Sequence, residues 1–406
     1  MSVDLLRCRK CGHEYPATAT GICSACFGPL EPVYDWDELA RTVSRESIEA
    51  GPRSLWRYAQ LLPAEPPADA ASGPGFTPLV PAPRFAAAVG VGEVYLKLDL
   101  SNPTHSFKDR VVAVATAKAL EFGFDTLSAT STGNLANAVG ARAAASGLRA
   151  IIFCPAGLEL EKLRATTVYG ATIFGVRGSY DDCSRLVSEL AGEVEWGIVN
   201  VNLRSYYSEG SKTLAFEIVE QLGWETPDAV VIPVGSGSMY TKVWKGFQQF
   251  EQLGLVDGAL PRLFGGQAEG CSPVAAAFAE DRRVTPVRPH TVASSIAIGN
   301  PADGDLTVEV AHASGGGVYA VPEDEIGQSI SLLAETAGIF GEGATGVAVG
   351  ALRAAVERGE LGERDRVVLL VTGTGLKTPQ LAEASGAIVE IEPDVDALLA
   401  ELGVTA

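Results

Sequence analysis

The chain is predicted to be an α/β protein built on parallel sheets, and three observations carry that prediction. From Thr77 onward strand-like runs alternate with helical ones: Arg149 to Cys154, Thr172 to Val176, Glu195 to Val201, Ala229 to Val234 and Arg366 to Val371. Several of these strands are continuous apolar runs, as expected where both faces of a sheet are covered by helices. Strand ends also lead into turns rich in glycine and hydroxyl residues. At 406 residues the chain is too long for one compact core, so two or three domains are expected.

Taken in order, the first segment (residues 1 to 30) carries Cys8-x-x-Cys11 and Cys23-x-x-Cys26 around Gly12, Pro16 and Gly21. Two such knuckles can wrap one tetrahedral ion, and zinc is favoured over disulfides in a reducing compartment. Four thiolates leave no open coordination position, so the metal would be structural. His13 is not needed as a ligand. Cys154, Cys183 and Cys271 stand alone and read as small apolar fillers. Residues 31 to 75 form a linking arm with Trp36 and Trp56 and a Pro/Ala/Gly-rich break from Leu62 to Gly75.

Val94 to Leu100 alternates β-formers and predicts a strand, with Lys97 and Asp99 on either a cleft-facing or a solvated face. Ser101-Asn-Pro-Thr-His-Ser-Phe-Lys-Asp-Arg110 follows. Ser106 is placed to cap a helix, with Asp109 as the acidic partner of a capping box, Val111 to Phe122 in helical spacing and Gly123 as a stop. Lys108 then falls in the first turn, where unpaired amides and the macrodipole make a cation unfavourable. A lysine there is a candidate for a depressed pKa, as Schiff-base chemistry requires. His105, beside it, is expected towards the cleft; His290 and His312 read as surface residues.

The turns supply a partner for that amine. Ala229 to Val234 leads into Gly235-Ser236-Gly237-Ser238-Met239, and Tyr240 to Leu253 reads as a helix. Strand, glycine-rich turn and helix aim amides at a phosphate. Neither a nucleotide P-loop nor a dinucleotide fingerprint is present. Strand 125–130 turns through Ser131-Thr132-Gly133-Asn134 into an alanine-rich helix, which suits a carboxylate or a ring hydroxyl. Val367 to Val371 ends in Thr372-Gly-Thr-Gly375. A phosphate cradle without a nucleotide signature, together with a candidate Schiff-base lysine, points to pyridoxal 5'-phosphate.

Ser-Phe-Lys-Asp-Arg, Ser-Thr-Gly-Asn, Gly-Ser-Gly-Ser and the late Thr-Gly-x-Gly-Leu-Lys occur in the order seen in pyridoxal-phosphate enzymes of fold type II. Over roughly residues 75 to 380 the chain resembles the threonine synthases, in the subgroup with an N-terminal four-cysteine ribbon. Asn200 to Thr213, Lys242 to Phe247 and Ile298 to Ala302 are similar to segments of that subgroup. The resemblance implies a fold like the tryptophan synthase β chain. This comprises two three-layer α/β/α domains with parallel-rich sheets, a large one (76–104 and 216–406) and a small one (105–215), plus the zinc ribbon. It implies Lys108 as the Schiff-base lysine with Phe107 beside the cofactor, and Gly235, Ser236, Gly237 and Ser238 as the phosphate loop. Asn134 would bond the ring hydroxyl, Thr372 the pyridine nitrogen, and Ser131, Thr132 and Gly133 the substrate carboxylate. A neutral hydroxyl cannot hold a proton on the ring nitrogen as a carboxylate would, which favours elimination and replacement over transamination.

The implied reaction is that of a carbon–oxygen lyase: O-phospho-L-homoserine and water give L-threonine and phosphate. The chain departs from the family at the substrate phosphate. Tyr207 stands where many relatives carry an arginine, which leaves Arg204, Lys212 and Lys242 as candidate cations. Leu135, Thr374 and Glu342-Gly-Ala-Thr345 also depart. Other fold type II β-elimination or replacement enzymes, threonine dehydratase-like or cysteate synthase-like, remain alternatives, as does a catalytically inactive relative.

Composition narrows the partners. A net charge of −19 argues against nucleic acid and anionic membranes, whose phosphates would be repelled. No run of 18 or more apolar residues is present, and the start lacks a secretory apolar region, so a cytoplasmic protein is expected. The family resemblance adds the expectation of a homodimer acting on a small phosphorylated amino acid.

Overall fold

The computed structural model describes residues 3–403 apart from 132, 158, 159, 179 and 384. Its N-terminal piece is a three-stranded antiparallel ribbon of β1 (Leu5–Cys8), β2 (Glu14–Pro16) and β3 (Leu30–Pro32), in the order β2-β1-β3. Next come β4 (Leu79–Pro81) and β5 (Glu93–Leu98). Then β6 (Thr126–Thr130), β7 (Arg149–Pro155), β8 (Thr172–Val176) and β9 (Gly197–Ile198) form a parallel four-stranded sheet, order β8-β7-β6-β9. The remaining strands are β10 (Ala229–Pro233), β11 (Arg262–Ala268), β12 (Gly317–Val321) and β13 (Arg366–Val371). They join β5 and β4 in a six-stranded sheet, order β12-β11-β10-β13-β5-β4, antiparallel only at β4.

The apolar runs are explained by burial on two faces. Along β10, Val230 and Ile232 enter one core while Ala229 and Val231 enter the other. On β13, Val368 and Leu370 alternate with Val367, Leu369 and Val371 in the same way. Successive strand side chains point to opposite faces, so a strand between two helix layers must be apolar throughout. The smaller sheet repeats the plan. Leu127, Ala129 and Ile152 pack with the helices Lys108–Glu121 and Asn134–Ala145, and Phe153 and Ile198 pack with Val187 on the other side.

One expectation about strands is corrected, and two strands were missed. The run Glu195 to Val201 is a strand only at Gly197–Ile198, because the chain then turns and Asn202 Oδ1 accepts from the Ile198 amide at 2.8 Å. β11 and β12 were not legible, since their glycines broke the apolar pattern: Gly265 and Gly266 lie inside β11 and Gly317 opens β12.

Neither N-terminal segment is an appendage. Leu6, Cys8, Cys23 and Leu30 of the ribbon share a core with Leu203, Tyr206 and Tyr207. From the arm, Leu39, Val43, Ile48, Tyr58 and Leu61 pack into the core of the large sheet. Cys154, Cys183 and Cys271 are buried fillers, as read from the sequence.

Lys97 and Asp99 face neither a cleft nor solvent. Lys97 Nζ lies 2.6 Å from Glu217 and 2.7 Å from the Thr77 carbonyl, fully buried. Asp99 receives Arg110 through Nε and Nη2, each at 2.7 Å, and Arg110 also donates to Glu217. The network ties the helix that carries Lys108 to β5 and to the helix Thr213–Gln221. Removing one member would strand a buried charge, at a cost of about 3–5 kcal/mol.

Candidate active site

Lys108 opens its helix, as the sequence predicts, but without the predicted cap. Ser106 does not cap: Phe107 occupies the N-cap position with no side-chain bond, and Asp109 accepts from the Thr104 amide at 2.8 Å. The reason lies in a distant loop. Ser106 pairs with Gly373 in an isolated bridge, and the Phe107 amide donates to the Thr372 carbonyl at 2.9 Å. Strand-like contact with residues after β13 thus pulls Ser106 out of capping geometry and seats the lysine segment on the Thr372 turn. Lys108 Nζ donates to Tyr207 Oη at 3.0 Å and lies 4.6 Å from the centre of the Phe107 ring. The ring of His105 is solvent-exposed, and its backbone has φ +59°.

The other turns hold the remaining predicted site residues. Gly235 to Ser238 link β10 to the helix Ser238–Gln252, whose first-turn amides have no partner within the helix. Gly237 takes φ +87°, and a Cβ there would come within 2.8 Å of the Asp303 carbonyl oxygen. Only glycine lets the backbone make this turn and approach so closely. Asp303 in turn donates its amide to the Ser236 carbonyl at 2.9 Å. At the second turn Ser131 Oγ accepts from the amides of Gly133 (3.3 Å) and Ala136 (3.2 Å), so it caps the helix that Asn134 begins. Space beyond Gly133 is open, with nothing within 4 Å of a Cβ built there. Thr132 lies outside the described residues.

Thr372 is buried, and its hydroxyl donates to Glu342 Oε1 at 3.4 Å. Asn134 Nδ2 donates to Glu342 Oε2 at 2.9 Å, and Asn134 Oδ1 accepts from Lys377 Nζ at 2.7 Å. Burial pushes the Glu342 carboxyl up from its ordinary value, opposed by the Asn134 bond and by Lys377. Burial likewise pushes the Lys377 ammonium down. Sequence reasoning quoted Glu342 and Lys377 inside motifs without giving them a role. For Lys377 the signal available was its place at the end of the Thr372-Gly-Thr-Gly-Leu-Lys377 motif; Glu342, 30 residues from Thr372, gave none.

Three candidate cations lie in ion pairs. Arg204 Nη2 bonds Asp303 at 2.7 Å, with Arg9 of the ribbon 3.6 Å from the same carboxylate. Lys242 is held by Glu209 at 2.7 Å and Glu31 at 2.9 Å. Lys212, fully buried, donates to Glu209 at 2.7 Å and to Tyr34 Oη at 3.0 Å. Glu209 and Glu31 are shared further with Lys245, so three lysines are held by two carboxylates.

At the ribbon the four sulfurs of Cys8, Cys11, Cys23 and Cys26 all lie within 4.8 Å of one another. Zn–S bonds of about 2.3 Å in a tetrahedron need a cluster of this size. A hydrogen bond from the Tyr15 hydroxyl at 3.0 Å holds the Cys23 thiol down at about 6, towards the thiolate a metal requires.

Fold and site together define an α/β enzyme in which Lys108 is seated on the Thr372 turn beside Tyr207, and a glycine turn suited to phosphate follows β10. The first-turn amides, without partners inside the helix, and the crowded Gly237 suit the phosphate of pyridoxal phosphate, and Asn134 and Thr372 suit its ring. Residues 70–373 match the family described as pyridoxal-phosphate dependent enzyme. A threonine synthase of Methanocaldococcus jannaschii is 36% identical over 399 residues, covering 97% of this chain and 98% of that one. One of Mycobacterium tuberculosis is 36% identical over 310 residues, covering 76% and 83%. The chain therefore belongs to the pyridoxal-phosphate dependent enzymes and, among them, to the threonine synthase family. Solved structures that share the fold include threonine deaminase isoform 2 from Solanum lycopersicum, with TM-score 0.63 and 20% identity over 77% of this chain and 88% of that one. Maize serine racemase is similar at TM-score 0.61 and 18% identity, covering 80% and 92%.

Proposed function

We propose that the chain converts O-phospho-L-homoserine and water to L-threonine and phosphate. The observation that carries this reading is the near-complete match to a relative of that name. Pyridoxal phosphate, when bound, supplies an electron sink that acidifies the substrate's C–H bonds. Lys108 supplies the amine that holds the cofactor and the base that moves protons at the substrate carbons, and Tyr207 steadies its Nζ. The 235–238 turn binds the cofactor phosphate. To the substrate carboxylate we assign the turn of Ser131, Thr132 and Gly133. Arg204 is the cation we retain for the substrate phosphate: its guanidinium is partly exposed and reaches the phosphate loop through Asp303. Lys212 and Lys242 are left out, because both are buried and already bonded to Glu209, and Lys242 to Glu31 as well.

The same reading includes zinc in the ribbon, a small domain near residues 105–215 that contains the four-stranded sheet, and a cytoplasmic homodimer. No described helix is long and apolar enough to cross a membrane. The test is a product assay with purified protein, pyridoxal phosphate and O-phospho-L-homoserine. Threonine and phosphate are expected in equal amounts. Serine or threonine deamination at a higher rate would instead assign the chain to the dehydratase-like alternative.

A further inference from the structure

We infer that Lys377 and Glu342 form a clamp that sets the orientation of the Asn134 amide and couples it to Thr372 across the cleft. The inference rests on the reading of Asn134 and Thr372 as the residues that meet the cofactor ring. Asn134 begins a helix over the four-stranded sheet. Glu342 precedes the helix Gly343–Glu357, and Lys377 follows β13, both belonging to the six-stranded sheet's side of the cleft. Lys377 Nζ donates to Asn134 Oδ1 at 2.7 Å and to the Thr104 carbonyl at 2.6 Å. An ammonium has donors only, so it can face only the carbonyl end of the amide, and a flipped Asn134 would set N–H against N–H. The –NH2 end is thereby directed to Glu342, whose other oxygen receives the Thr372 hydroxyl.

Other details of the site fit this role. Gly373 leaves room for the carboxyl: a Cβ there would come within 2.5 Å of Glu342 Cδ, and the Glu342 amide donates to the Gly373 carbonyl at 3.0 Å. Among the described residues Lys377 has no carboxylate partner within 4 Å, and its two acceptors, the Thr104 carbonyl and Asn134 Oδ1, are neutral. Its charge therefore orients an amide instead of closing an ion pair. Lys377 and Glu342 are positioning residues. They hold the two ring-binding groups in their working directions before the cofactor arrives, which lowers the ordering cost of binding.

The full-length protein and its Lys377→Met, Lys377→Arg and Glu342→Gln variants would be titrated with pyridoxal phosphate. Visible absorbance would be followed, together with the pH midpoint of that band and the melting temperature. Lys377→Met is expected to raise the cofactor Kd roughly tenfold, the scale of one misdirected hydrogen bond in a buried site. It should move the band's midpoint upward, because a cation near an imine disfavours its protonation. Arginine at 377 should recover most of the affinity. Glu342→Gln should weaken binding by a smaller factor and also displace the midpoint. Cofactor binding and band unchanged in Lys377→Met, or losses that follow the melting temperature alone with no rescue by arginine, overturn the clamp. Should the methionine variant not fold, Glu342→Gln decides: weakened binding with a displaced midpoint supports the clamp, and wild-type behaviour overturns it. A wild-type protein without any band, or a Lys108→Ala variant that keeps it, would strike the cofactor reading itself.

Discussion

Single atoms decide what this site can do. Lys108 Nζ stands 3.0 Å from the Tyr207 hydroxyl, and no second lysine is bonded there to take over its chemistry among the described residues. Lys108→Ala should lower threonine formation by on the order of a thousandfold or more, with an unchanged far-UV circular dichroism spectrum. Retention of a tenth of the wild-type rate would remove Lys108 from its role. Gly237 offers a second test of a different kind. At φ +87° a side chain is strained before any clash is counted, and the Asp303 carbonyl cannot withdraw without moving the Ser236 bond. Gly237→Ala should weaken cofactor binding by about tenfold or more, measured by absorbance titration. Alanine at Gly133, where space is open, should cost far less.

Between elements, the decisive contacts are charged. In Glu217, burial pushes the carboxyl up, but Arg110 and Lys97 outweigh it and hold it down at about 2, against an ordinary 4.5. A carboxyl depressed by folding contributes stability that is complete above about 4.5 and is lost as pH falls towards 2. The contribution at stake is about 3 kcal/mol. Denaturant midpoints between pH 5 and pH 3 should therefore fall more steeply for the wild type than for Glu217→Gln. Equal slopes would remove Glu217 from the acid response. The ribbon makes its own prediction: about one equivalent of zinc by elemental analysis, lost when Cys8 and Cys11 are both changed to serine. Because Cys8 and Cys23 share a core with Leu203 and Tyr206, that double variant should also melt at a lower temperature.

At the scale of the molecule, what could be read from the chain was what the chain states locally. The apolar runs of β10 and β13, the glycine turn after β10 and the paired Cys-x-x-Cys motifs each carry their meaning within a few residues. Their strand spans are reproduced to within a residue. The readings that failed depended on something remote. Ser106 lost its cap to Gly373, more than 200 positions away, and Lys97 found Glu217 on a helix that periodicity could not aim at it. Nor does spacing along the chain show that Lys212 and Lys242, candidate cations by sequence, lie against Glu209 and Glu31.

By itself, then, the sequence determined the α/β class and the four-cysteine ribbon motif, and it marked Lys108 at the start of a helix and a glycine turn after β10. Each of these is a matter of residue type at short spacing, where local sterics and hydrogen bonding decide. Only the tertiary structure decided which charges are neutralised and which remain available, and how Glu342 and Lys377 reach Asn134 and Thr372 from the other side of the cleft. Those outcomes depend on distances between segments far apart in the chain. A charge's effect inside a protein depends on what surrounds it in space, and spacing along the chain does not record that.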